Sequence, residues 1–402
     1  MSCKTTMRAC PVCHGTTAEV LHVQSFVLPE GYSLAGRYEV VACTRCGCVY
    51  ADVSTRQKEY DAFYAASSRY QNGATSSGAG DTPWDAHRLE TTARQIALKL
   101  PEREARILDA GCANGGLLVS LRRLGFNQLL GLDPSPTCVA NTRARGIEAV
   151  AGWLTELPQD IGQFDCVILS HVLEHVLEVG QALHEVRALI RPGGCIYVEV
   201  PDATRYVDYL FCPFQEFNIE HINHFSLTCL ASLMDWAGFR LQVAGRKLIE
   251  AAPKVPYPAI YGLATVAADP ARACRWRPDQ HLRQKVLAYV TASRQMMQRI
   301  DRKLQSILHA SPQIIIWGTG QLAMKLLHET CLAKANIAAC VDGNPVNHGK
   351  QLRGVPIGPP EHIRGMPYPI VITSILHQAT IAEHIRSLGL PNPIVLLGES
   401  SQ

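Results

Sequence analysis

The sequence predicts an α/β protein in three parts: a small N-terminal unit built on cysteines, a central domain of alternating strands and helices, and a smaller C-terminal domain of the same alternating kind. Three observations carry this. Short apolar runs alternate with helical periodicity between Ile107 and Val200, and they end in glycine turns or acids. Two Cys-x-x-Cys pairs stand near the N-terminus. The alternation lapses after about residue 245 and restarts at Gln313.

Composition sets the outer limits. A chain of 402 residues suggests two or three domains, and 47% hydrophobic with 18% charged residues lets each bury a core. The net charge of +3, with no Lys/Arg run and no interleaving of aromatic and basic residues, argues against a nucleic-acid partner. No apolar run is long enough to span a bilayer, so no membrane partner is expected. The N-terminus, Met1-Ser2-Cys3-Lys4-Thr5, lacks the apolar middle of a signal peptide, and a cytoplasmic location is expected. In such a chain the 15 cysteines read mostly as reduced thiols or metal ligands.

Residues 1–55 form the first unit. Cys10-Pro11-Val12-Cys13 and Cys43-Thr44-Arg45-Cys46 each present two thiolates on a tight turn, and together they make a tetrahedral set suited to structural zinc. Cys48 and His14 lie close enough to replace one of the four. A zinc ribbon of this size has almost no core, so metal binding, of order 10–16 kcal/mol, would drive its folding. Residues 56–90 are an aromatic and glycine-rich connector with Tyr60, Phe63, Tyr64, Tyr70, Gly73 to Gly80, Trp84 and His87. It reads as a flap over a site or as a plain linker.

Residues 91–245 carry the main signals. Ile107-Leu108-Asp109-Ala110-Gly111-Cys112-Ala113-Asn114-Gly115-Gly116 is a buried strand, a glycine turn and a helix start, whose amides and partial positive charge can meet a ligand. Leu129 to Asp133 is a second strand ending in an acid, where a ribose would sit. Phe164 to Ser170 is a third strand, followed by His171-Val172-Leu173-Glu174-His175. Arg191-Pro192-Gly193-Gly194 then leads into the strand Cys195 to Val200.

In this order the four segments resemble class I S-adenosylmethionine-dependent methyltransferases, which implies a Rossmann-like fold and that cofactor. The resemblance implies that Asp109, Gly111 and Gly115, with Cys112 in the same turn, line the methionine end of the cofactor. It implies that Asp133 binds the ribose hydroxyls, and it adds His171 to the cofactor set. A ligand without a pyrophosphate needs no full phosphate-binding triplet of glycines, in keeping with this turn. Many of these enzymes read the adenine amine with an acid after a glycine; here the segment is Gly152-Trp153-Leu154, and Trp153 is expected to stack on the ring instead.

Past the fourth strand, Phe211 to Ser226 gathers Glu216, Glu220, His221 and His224 among aromatics, at the sheet end where substrates of open α/β folds bind. Leu227 to Gly238 reads as a helix and Phe239 to Val243 as a strand. Residues 246–311 read as a linker broken by Pro253, Pro256 and Pro258, then a long helix from Asp279 to Leu308. Residues 312–402 read as a second, smaller Rossmann-like domain, with Trp317-Gly318-Thr319-Gly320 and a strand ending at Asp342.

The whole arrangement resembles three-domain zinc-ribbon C-methyltransferases acting on nucleotide-linked keto-deoxysugars. That resemblance implies a proton removed next to the sugar ketone, with the enolate then taking the methyl group, and it matches Glu220, His221 and His175 to the catalytic positions. The family's tyrosine two residues before the Glu is Asn218 here, leaving Tyr206 or Tyr64 to fill its role. An O-methyltransferase acting on a sugar or secondary-metabolite hydroxyl would use the same groups. The expected partner in either case is a small molecule, a nucleotide-sugar or glycoside.

Overall fold

The computed structural model describes residues 3–66, 78–100, 102–158, 160–253, 255–267 and 276–398. Tyr70 and residues 73–77 of the aromatic connector lie outside the described residues. The chain divides into two compact units, Met1–Val20 with Val41–Tyr209 and Glu220–Lys285, and Leu21–Val40 with Leu210–Ile219 and Val286–Gln402.

In the first unit, β1 (Cys3–Thr5) pairs antiparallel with the start of β2 (Thr17–Ser25), Cys3 opposite Glu19. With β3 (Arg37–Cys43) and β4 (Val49–Asp52) they belong to a five-stranded sheet, closed by a short strand, Asn223–His224, on β4. The helices α1 (Gln57–Ala66) and α2 (Pro83–Ala97) follow. Thr82 caps α2 by accepting from the Asp85 amide, and Pro83 sits at the first helical position, where a missing N–H costs nothing.

The central sheet holds β5 (Ile107–Ala110), β6 (Leu129–Asp133), β7 (Glu148–Ala151), β8 (Phe164–Ser170) and β9 (Ile190–Pro201), all parallel. Counting Asn223–His224 as β10, β11 (Phe239–Ala252) and β12 (Val255–Val266) extend it antiparallel, in the order β11-β12-β9-β8-β5-β6-β7. The strand order reverses at β5, so the carboxyl ends of β5, β6 and β8 border the crevice where such sheets bind ligands. Leu118, Leu121, Phe126, Ile107 and Ile168 belong to one buried hydrophobic core. The helices α3 (Gly116–Arg123), α4 (Pro136–Ala144), α5 (Val179–Ala188) and α6 (Leu227–Trp236) complete this part.

Residues 246–266 are not a linker but finish the central sheet. Pro256 and Pro258 lie within β12, yet the pairing of β12 with β9 covers only Ala259 to Thr265. The prolines therefore fall where β12 is bonded on one side only, and no ladder hydrogen bond toward β9 is lost. The thiols are not all free: Cys48 is disulfide-bonded to Cys229.

In the second unit, α7 (Leu282–Ala310) buries Val286, Val290, Met297, Ile300 and Leu304, the stripe its periodicity predicts. The sheet has the order β15-β16-β14-β13-β17-β18, with β13 (Gln313–Trp317), β14 (Asn336–Val341), β15 (Gln351–Leu352), β16 (Val355–Gly358), β17 (Ile370–Ile372) and β18 (Ile394–Leu396). Only β15 with β16 is antiparallel. Leu21–Val40, read from sequence with the ribbon, belongs here: the Val27 amide donates to the Met324 carbonyl, and Tyr38 and Gln24 both donate to the Phe217 carbonyl. Asp342 is taken up by its own loops, accepting from the amide and hydroxyl of Thr319 and from Asn347.

Candidate active site

The turn after β5 is built around residues that only a compact backbone permits. Gly111 has φ +88°, and a Cβ there would lie 2.5 Å from Val172. Gly115 has φ +75° and stands against Thr142, and Ala113 itself adopts φ +46°. Asp109 is 3% exposed. Burial, with the Asp133 charge nearby, pushes its carboxyl up to about 7. Cys112 is buried in the same turn, and burial pushes its thiol well up, so it behaves as a small apolar side chain.

At the end of β6, Asp133 reaches back to this turn. Its Oδ2 accepts from the Ala113 amide at 2.8 Å and its Oδ1 from the Ser135 amide at 2.9 Å. Burial raises its pKa while these two bonds oppose the shift. Each oxygen keeps a lone pair for a diol, so the residue fits a ribose clamp. Trp153 is half-buried just beyond β7, in an isolated bridge with Glu156.

The start of α3 is not wholly open to a ligand. The Gly116 amide donates to the Gly78 carbonyl at 3.0 Å, and a Cβ on Gly116 would lie 2.6 Å from that oxygen. Asp85 fixes the end of the connector, accepting from the amides of Gly78 and Gly80 and from Arg88. The last stretch of the connector thus seats on the glycine turn.

His171, at the end of β8 with φ +55°, uses both ring nitrogens on protein groups. Nδ1 meets Glu174 at 3.1 Å and Nε2 meets Glu199 at 3.2 Å. Burial opposes its charge, but the two carboxylates overcome that and raise it to about 9. Glu199 is fully buried and also pairs with Lys247 and Tyr197. Glu174, His171, Glu199 and Lys247 therefore form a chain of alternating charge, with both ring nitrogens of His171 on carboxylates.

The three residues matched to catalysis converge. His175 Nδ1 lies 3.0 Å from the Glu220 carbonyl oxygen and 2.9 Å from the Tyr64 hydroxyl. A carbonyl can only accept, so the ring proton sits on Nδ1 and Nε2 carries the lone pair. Burial first, and the neighbouring His221, lower His175 to about 4. The His221 ring stands edge-on to it with centroids 4.8 Å apart. Tyr64, from the connector, meets His175, whereas Tyr206 lies 3.4 Å from His224 instead. Asn218 itself donates to the Gln215 carbonyl.

The four cysteines also converge. Cys10 and Cys46 sulfurs are 3.5 Å apart, Cys13 and Cys43 sulfurs 3.4 Å, and all four lie within 4.8 Å of one another. Tetrahedral zinc–thiolate bonds of about 2.3 Å require sulfurs about 3.8 Å apart, so the set fits zinc. Cys48 is excluded as a fifth candidate by its bond to Cys229.

Glu174, Glu199 and Lys247 escaped the sequence reading. Lys247 had a signal: Phe239, Leu241, Val243 and Gly245 alternate along β11, and Lys247 continues their inward face while Leu248 stands 51% exposed. Glu174 is flanked by histidines three before and one after, which was visible but unused.

Residues 84–243 match the family described as "Methyltransferase domain", and residues 310–396 match "C2185-like, N-terminal". The chain carries a class I S-adenosylmethionine-dependent methyltransferase domain. Among similar proteins, a probable S-adenosylmethionine-dependent methyltransferase of Mycolicibacterium smegmatis is 29% identical over 160 residues, 39% of this chain and 59% of that protein. A ubiquinone biosynthesis O-methyltransferase of Methylocella silvestris is 32% identical over 123 residues, 29% of this chain and 48% of that protein. The chain thus spans less than two thirds of either relative. Among solved structures, the 1,6-didemethyltoxoflavin-N1-methyltransferase of Burkholderia thailandensis is similar with TM-score 0.42 and 19% identity, over 56% of this chain and 96% of that one.

Proposed function

We propose that the protein is an S-adenosylmethionine-dependent methyltransferase that methylates a carbon of a nucleotide-linked keto-deoxysugar. One observation carries the reading: His175 is locked by the Glu220 carbonyl and the Tyr64 hydroxyl, with the His221 ring beside it. S-adenosylmethionine supplies an electrophilic methyl group. Asp109 takes its amino end, the turn Gly111-Cys112 to Gly115 follows its backbone, Asp133 takes the ribose hydroxyls, and Trp153 covers the adenine. His221, with Glu220 and His175, accepts the proton next to the sugar ketone. A neutral imidazole is the natural base for that task near pH 7. The two Cys-x-x-Cys pairs hold a structural zinc.

His221→Ala is expected to bind adenosylhomocysteine with wild-type affinity by calorimetry and to lose turnover; unchanged turnover removes His221 from the mechanism. The relatives named as O-methyltransferases support a second reading, deprotonation of a sugar or secondary-metabolite hydroxyl by the same imidazoles. Deuterium exchange from solvent into the carbon beside the ketone, measured without cofactor, occurs only in the first reading.

A further inference from the structure

The proposed mechanism leaves one buried acid unused. Glu174 is 1% exposed, and its Oε2 has no hydrogen-bond partner. A buried carboxylate oxygen without a donor is costly, and a bound cation or donor is the usual remedy.

Its surroundings have the chemistry of a metal site. One ligand atom from each of Glu174, His175 and His221 lies within 4.8 Å of the others. The other oxygen of the same carboxylate, Oε1, which also meets His171, is 4.0 Å from His175 Nε2, the nitrogen that carries the lone pair. Tetrahedral zinc with nitrogen and oxygen ligands at about 2.0–2.1 Å needs them about 3.4 Å apart, a closure of about 0.6 Å for this pair and of up to about 1.4 Å for the pairs with His221. The outer groups are also in place: the far nitrogen of His175 donates to a backbone carbonyl, and His171 holds the carboxylate at 3.1 Å.

From this juxtaposition we propose that Glu174, His175 and His221 bind a divalent transition-metal ion, separate from the ribbon zinc, with positions open to the acceptor's oxygen. Two imidazoles and one carboxylate suit zinc, iron(II) or cobalt(II) rather than magnesium or calcium. The ion's role rests on the methyltransferase reading above; its binding does not. With the ion present the imidazole lone pairs are occupied. The ion would then supply Lewis-acid polarisation of the acceptor's oxygen, and water held beside it would replace His221 as the acceptor of the proton.

Cobalt(II) is the probe. The full chain, stripped by a chelator and reloaded, is expected to take two equivalents by elemental analysis. The ribbon equivalent shows sulfur-to-metal charge transfer and the second shows weak visible bands without it. Glu174→Gln and His221→Ala are each expected to take one equivalent, with the sulfur band intact. A wild-type chain taking one equivalent, or either variant still taking two, overturns the site. Adenosylhomocysteine affinity, measured on the same samples, judges the cofactor reading separately: two equivalents without that affinity leave the metal site standing and overturn the methyltransferase role.

Discussion

The Tyr64 hydroxyl lies 2.9 Å from His175 Nδ1, joining the connector to the ring beside His221. Tyr64→Phe removes one hydrogen bond and leaves the ring held by the Glu220 carbonyl alone. Loss of about 1–1.5 kcal/mol of orientation corresponds to a roughly tenfold drop in kcat. Adenosylhomocysteine affinity should not change, and steady-state kinetics with calorimetry checks both.

Asp133→Asn keeps the shape at the end of β6 but replaces one acceptor oxygen with a donor. One of the two amides it serves, Ala113 or Ser135, then loses its partner. The Kd for adenosylhomocysteine is expected to rise about a hundredfold, since charge-assisted hydrogen bonds contribute roughly 1.5–3 kcal/mol each.

Asp109 makes the fold sensitive to pH. Its folded carboxyl titrates at about 7, against about 3.9 in an unfolded chain. Between those values the folded chain keeps a proton that the unfolded chain has lost, so stability falls as pH rises from about 4 to about 7 and then levels. The contribution is at most roughly 4 kcal/mol. Asp109→Asn should flatten that slope in thermal unfolding. A cationic ligand on Asp109 should release a proton below pH 7, seen as a buffer-dependent heat of binding.

Glu199→Gln strips the charge between His171 and Lys247. Two buried cations then share one fewer anion, and the fold should lose about 3–5 kcal/mol by denaturant titration. Replacing Lys247 with Met in the same variant should restore part of that, because the uncompensated charge leaves with it.

Cys43→Ser removes one of four sulfurs from the N-terminal cluster. The variant should lose the zinc equivalent proposed for the ribbon, with faster hydrogen exchange in β1 and in the turn at Cys10–Cys13. The central sheet should keep its protection.

Much of the central sheet was legible because parallel strands buried on both faces appear as unbroken apolar runs, with Asp109 and Asp133 at or near their ends. The antiparallel extension was hidden, since Pro256 and Pro258 are strand breakers in any reading blind to which edge they face. The recruitment of Leu21–Val40 into the second unit depends on distant partners such as Met324, which no local pattern reveals. Glu174 and Lys247 were missed for a related reason: a charged residue in an apolar stretch gains meaning only once its counter-charge is known.

The bond between Cys48 and Cys229 closes a loop across 181 positions of sequence. Such a crosslink restrains the unfolded chain by about 5 kcal/mol in the chain-entropy view. It also acts as a leash. In oxidising buffer a demetallated ribbon stays moored to the helix that bears Cys229, and re-adding zinc finds its ligands nearby. In strong reductant the mooring is cut, so chelator and thiol together should inactivate the protein far less reversibly than either reagent alone.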